Sequence, residues 1–153
     1  MLGCPGDALA EINYLSAEAR LQTQALNLEW QAASELKNWD QAFLIASRHV
    51  DLFPGSLEAW IHRAYAARRK PGGSVELAFG FLQPAFVLFE TEFLVPFNLA
   101  CYAAQLGRFE EASRWLKDAA IRGNRAEVRR MAEKDSDLID LRDRLDAIFN
   151  GKL

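Results

Sequence analysis

Residues 99–119 read LACYAAQLGRFEEASRWLKDA, and the spacing of their small residues decides the fold. Leu99, Ala100, Ala103 and Leu106 recur at helical spacing before Gly107. Phe109, Ala112, Leu116 and Ala119 do the same after it. Gly107 suits the position just past a helix end, because it tolerates the left-handed conformation needed there. Pro96 suits the first turn of the first helix, where its missing N–H is harmless. The stretch reads as two helices joined by a tight turn, with alanines that let the two approach closely.

The same unit recurs upstream. Asn38-Trp39-Asp40-Gln41-Ala42 matches Arg108-Phe109-Glu110-Glu111-Ala112 in kind: polar, aromatic, two polar, alanine. AWIHRAYAARR, starting at Ala59, resembles the first helix. The second-helix alanines Ala42, Ala78 and Ala112 are 36 and then 34 residues apart. The first-helix anchors Leu26, Trp60 and Pro96 are 34 and then 36 apart. Both rulers agree on a period of 34 if two residues are inserted between Trp60 and Ala78. That interval holds Lys70-Pro71-Gly72-Gly73-Ser74, a strong loop signal. One hairpin cannot bury its own apolar stripe, so such units stack.

A helical hairpin of this period resembles the tetratricopeptide repeat, whose pattern carries W-x2-L-G-x2-Y, A-x3-F and P. The first unit offers Trp30, Ala33, Ala42-x3-Ala46 and Pro54; the second Trp60, Ala64, Ala67 and Ala78-x3-Leu82. The third offers Leu99, Ala100, Ala103, Ala112-x3-Leu116 and Ala119. The resemblance covers residues 23–126. It implies an all-α right-handed superhelix of about three hairpins in a single domain. The parts are an N-terminal capping helix over 1–22, repeats over 23–56, 57–92 and 93–126, and capping helices over 127–153. Three departures stand out. Trp30 and His49 fall where sister repeats place alanine, and Pro84 interrupts the second helix of the middle repeat, which it should kink or shorten. Ser16 is a candidate break before the first repeat. Asn124 is set to cap a helix over about 125–133. Asp135 or Ser136 then opens a last helix with Leu138, Leu141, Leu145 and Ile148 on one face.

Composition narrows the function. The chain has 153 residues, net charge −3 and a quarter charged residues, so no general attraction to nucleic acid is expected. The apolar run LAFGFLQPAFVLF, 77–89, is too short to span a bilayer and reads as a buried helix. Cys4 and Cys101 lack metal or disulfide-scaffold spacing, and no secretory signal is visible, so a cytoplasmic protein without cofactor or metal is expected. His49 and His62 stand apart from any carboxylate pair at ligand spacing, and His49 reads as a hydrogen-bonded core residue. No catalytic constellation is present.

In stacked hairpins the first helices line the inner surface. With Trp60 and Ala64 turned towards the partner helix, the inner stripe is Ile61, Tyr65 and Arg68. One period earlier it is Asn27, Gln31 and Ser34; one period later it is Phe97, Cys101 and Ala104, with Asn98 and Gln105 alongside. Amides and Arg68 can hydrogen-bond a peptide, and Tyr65 and Phe97 can anchor it. Arg68-Arg69-Lys70 also complements the C-terminal dipole of the helix it ends. Family members that grip the tails of heat-shock chaperones use Lys, Asn and Arg at fixed positions. Here Asn27, Gln31, His62, Leu94 and Asn98 stand at those positions, so the basic members are missing.

The expected function is a non-enzymatic protein–protein interaction module holding a peptide or helix of another protein. Two alternatives stand beside it. One is a bacterial secretion chaperone for a hydrophobic secreted protein. The other is an oligomerisation module whose interface is Phe79, Phe81, Phe86, Phe89 and Phe93. A homodimer is left open.

Overall fold

The computed structural model describes residues 16–151, and all the regular elements among them are helices. They fall into two compact units, divided between Phe89 and Glu90. The N-terminal cap expected over 1–22 falls mostly outside the described residues.

The first unit contains two hairpins. α1 (Ala17–Glu35) packs against α2 (Trp39–Leu52), α2 against α3 (Leu57–Ala67), and α3 against α4 (Val75–Leu82). A short α5 (Ala85–Leu88) follows. Ser16 caps α1 by accepting from the Ala19 N–H at 3.1 Å, so the helix starts earlier than the repeat period suggests. Asn38, Ser56 and Ser74 cap the next three helices in the same way. Each supplies an acceptor for a backbone donor that the first turn cannot satisfy.

The alanines lie where helices touch. Ala42, Ala64, Ala67, Ala78 and Ala85 are fully buried, and Ala46 nearly so. Between them Leu26, Ala33, Ile45 and Ala66 form a core flanked by Trp30, Trp39, Phe43 and Phe53. The inserted residues form the loop after α3, with Gly72 at φ +71°.

Pro84 does more than bend its helix. α4 stops at Leu82, and α5 restarts after the proline. The 77–89 run is therefore not one buried helix: Leu77, Val87 and Leu88 are exposed. Of its phenylalanines one is buried and three are half-buried. Phe79 is buried, and Phe81 meets Phe43 edge-on with centroids 5.2 Å apart. Phe81 also lies beneath the Arg63 guanidinium. Burial removes Phe79 from the proposed oligomer interface.

The second unit is one hairpin with a cap. α6 (Leu94–Gln105) packs on α7 (Phe109–Arg122), with Ala100, Ala103, Ala112, Leu116 and Ala119 fully buried. Phe93, the last of the five phenylalanines, lies against Gly123, where a Cβ would come within 2.8 Å of its ring. α8 (Arg125–Lys134) is capped by Asn124, as its sequence position suggests. The next segment, Ser136–Arg144, is a 3-10 helix rather than the expected α-helix, capped by Asp135. Its buried residues, Leu138 and Leu141, are three apart, which is the 3-10 period. α9 (Leu145–Asn150) ends the described chain and buries Leu145, Ile148 and Phe149.

The two short hairpin turns are closed alike. After α6 the N–H of Gly107 donates to Ala104 O at 3.0 Å and that of Arg108 to Ala103 O at 2.9 Å. After α1 Lys37 donates to Ser34 O and Asn38 to Ala33 O in the same pattern. Both are Schellman closures with a left-handed residue at their centre. Gly107 has φ 73° and Lys37 φ 55°, and only the glycine adopts that conformation without steric cost. Lys37→Gly is expected to raise stability and Gly107→Ala to lower it, each by about 1 kcal/mol in urea titration. Ala103→Leu, which overfills a helix contact, is expected to lower it by about 2 kcal/mol or more.

Candidate partner-binding surface

The two units carry different parts of the inner stripe. In the first unit α1 and α3 present it. Asn27 is half-buried, and its amide donates to Glu58 Oε2 at 2.8 Å, bridging the two helices. Gln31 is exposed and donates to Glu35 Oε1 at 3.1 Å. Ile61 is half-buried. Arg68 is the C-cap residue of α3, a position that suits the helix dipole. Tyr65 is 39% exposed, the best presented of the stripe's aromatics.

Tyr65 stands within a cluster that the spacing argument did not assemble. The Trp30 ring meets it edge-on at 6.0 Å, and Trp39 lies 5.7 Å away. Arg69, not Arg68, covers its face, with the guanidinium carbon 3.4 Å from the ring centroid. Arg69 is held there by donating to Tyr65 O at 3.0 Å. His62 stacks on Trp30 with centroids 3.7 Å apart and planes 1° from parallel. The sequence did carry a signal for this: Trp30 occupies the place of Ala64 and Ala100, so its ring had to find room. It finds it over His62, between α1 and α3. Such a surface offers flat apolar area with a cationic edge, suited to aromatic or acidic side chains of a peptide.

The second unit departs from expectation. Phe97 and Cys101 are 5% and 4% exposed, so neither is free to meet a ligand. Ala104 is buried with them. The 3-10 segment packs on α6. Cys101 Sγ donates to Asp135 Oδ2 at 3.8 Å, and the Gln105 amide donates to Asp137 Oδ1. Capping residues thus cover a face that repeat periodicity alone leaves open. Gln105 stays exposed, and Asn98 is half-buried with its amide donating to Leu94 O at 2.8 Å.

Nothing in the described residues assembles a metal site. None of their helices is long and apolar enough to cross a membrane. A cavity of about 400 Å³ in the second unit is lined by Arg129, Glu133, Arg142, Leu145 and Asp146. Arg129 is already bound to Glu133 at 2.8 Å and Asp146 at 2.6 Å, so opposite charges cancel inside it.

The first unit also holds both histidines. His49 is 1% exposed in the core, as expected, yet its Nε2 has no hydrogen-bond partner. His62 Nδ1 is likewise buried and unpartnered. Burial lowers the pKa of both below the ordinary 6.5, and Glu58 opposes the shift. His49 lowers that of His62 further.

Among solved structures, the chain resembles PcrH in complex with the chaperone binding region of PopB. The TM-score is 0.60, and the match covers 88% of this chain and 98% of that one at 18% sequence identity. No protein-family model matches the chain, and no curated protein matches its sequence. The all-α hairpin fold read from the sequence is the fold found.

The two imidazoles set a pH dependence. With folded pKa values below 6.5, the unfolded chain binds more protons as pH falls through 6.5. Stability present above that pH is therefore lost towards the depressed folded values. Urea midpoints should fall between about pH 7.5 and about pH 5.5. A His49→Gln, His62→Gln double variant should show a flatter profile.

Proposed function

We propose that this chain is a tetratricopeptide-like chaperone of the secretion type, which holds a segment of another protein and catalyses no reaction. The observation that carries this reading is the likeness of fold to PcrH, spanning 98% of a chain solved with the chaperone binding region of a second protein. It favours the secretion-chaperone reading over a general adaptor. The partner is a protein that stays soluble only while its bound segment is held, and the encounter takes place in the cytoplasm.

The contact surface is the α1–α3 face of the first unit, centred on Tyr65, with Asn27, Gln31 and Ile61 around it. Trp30, Trp39, His62 and Arg69 support it. Phe97 and Cys101 are not part of it. A peptide side chain seated on Tyr65 meets a ring already fixed by three neighbours, so little side-chain freedom is lost on binding. Exposed backbone groups of the peptide find an acceptor and a donor in the exposed Gln31 amide, while Asn27 bridges to Glu58 and holds α1 against α3.

The test is capture from native cell extract, then a scan of the retained protein as overlapping synthetic peptides by calorimetry. One short segment should carry the binding, and the partner expressed alone should aggregate. Tyr65→Ala should weaken that segment's binding by about tenfold or more, with the helical circular dichroism unchanged. A partner that binds through no short segment, or one indifferent to Tyr65→Ala, overturns the reading.

A further inference from the structure

The seam between α1 and α3 is short of hydrogen bonds. Thr23, Asn27 and Trp30 stand at i, i+4 and i+7 on one face of α1. Thr23 Oγ1, Asn27 Oδ1 and Trp30 Nε1 are all buried without a partner. Across from Trp30, on α3, His62 Nδ1 is buried and unpartnered too. What holds the seam is the Asn27 amide, which donates to Glu58 Oε2 at 2.8 Å, and the His62 ring, which lies flat on Trp30 at 3.7 Å. Lifting α1 would give each orphaned atom water, so its closed seat is easily unsettled.

We propose that His62 is a proton-operated latch: on taking up a proton it leaves Trp30, lets α1 lift from α3 and parts the face that spans them. A neutral ring fits its place, since it can carry its proton on Nε2 and leave Nδ1 as an acceptor. The imidazolium has an N–H on both nitrogens, and Nδ1–H would then point into a site without an acceptor. A charged donor buried unpaired costs far more than an unpaired lone pair. The Trp30 face attracts a cation, but it supplies no acceptor to Nδ1.

The surrounding charges fix the direction. Glu58, on the same helix, favours the charged ring, and His49, on α2, opposes it. Among the described residues neither α1 nor α4 adds a charge that acts on it. Burial outweighs Glu58, so the closed seat holds His62 below the ordinary 6.5. Once α1 lifts, the ring is hydrated and titrates near that ordinary value. The open form therefore takes up a proton where the closed form does not, and acid favours opening. Glu58 also holds Asn27, so an imidazolium that turns to this carboxylate competes with the second contact of the seam. Release of a bound segment follows, because Gln31 and Tyr65 stand on opposite sides of the seam. That last step rests on the function proposed above; the latch itself does not.

Hydrogen–deuterium exchange of the full chain, read by mass spectrometry and corrected for the intrinsic effect of pH, tests the latch without a partner. Amides of Ala17–Glu35 should exchange faster than those of Trp39–Leu52 and with a weaker urea dependence, as local opening requires. From about pH 7.5 to about pH 5.5 their opening should rise about tenfold, the limit for one proton. His62→Phe keeps a flat ring on Trp30 and takes no proton, and His62→Gln takes none and adds no volume. Both should flatten the response of α1, and His49→Gln should keep it. A captured partner segment should dissociate about tenfold faster over the same range, and not from His62→Phe. A segment indifferent to pH while α1 still opens overturns the proposed contact surface and leaves the latch standing. Opening of α1 that does not change with pH overturns the latch. So does a response that survives both His62 variants. Amides of α1 that exchange only together with those of α2, at one rate and one urea dependence, overturn it as well, because the opening is then global.

Discussion

Helices in this protein can approach closely because alanine stands at nearly every crossing. Ala42, Ala64, Ala78, Ala100, Ala103, Ala112 and Ala119 are all fully buried. A methyl group brings two backbones near enough for the larger residues on either side to interlock, and tight packing fills the space that remains. Almost everything else follows from this. Two of the three hairpins are joined by short turns that close on left-handed residues. The alanine stripe leaves little large apolar area per helix, so additional hairpins or a cap must supply it. In the second unit the supplier is the C-terminal region, through Leu138, Leu141, Leu145, Ile148 and Phe149.

Where the rule is broken, the chain gains a surface. Trp30 and His49 take positions that sister hairpins give to alanine. Trp30 cannot sit at the crossing and instead spreads over His62, carrying Tyr65, Trp39 and Arg69 into one cluster. His49 does fit inside, but with Nε2 unpaired. A buried polar atom without a partner lowers stability rather than adding to it. The first unit therefore combines a partly exposed aromatic platform with a core sensitive to protonation. Both features belong to the helices that carry the exposed inner stripe, α1 and α3, or to the α2 packed between them.

Much of the fold was legible in the sequence because its signals are local or periodic. Helix starts at Ser16 and Asn124, the turn at Gly107, the loop after α3 and the break at Pro84 each depend on one to five residues. The 34-residue period adds a second, independent ruler, and the alanines it aligns are buried in all three hairpins. The candidate site was less legible. Gln31 and Tyr65 are exposed, whereas Asn27 is half-buried and turned to Glu58. Phe97 and Cys101 are buried, which stayed hidden because repeat periodicity carries no information about a cap that breaks the period. The 3-10 conformation of that cap was equally hidden, since an α-helical and a 3-10 reading share leucines three residues apart.

By itself, then, the sequence determined the hairpin, its period and the positions where helices touch, because those depend on side-chain size at fixed intervals along one chain. Only the tertiary structure decided which surfaces remain for a partner. Residues 34 apart in sequence, such as Cys101 and Asp135, become neighbours through packing between elements. Exposure is a property of such neighbours rather than of a residue or its spacing.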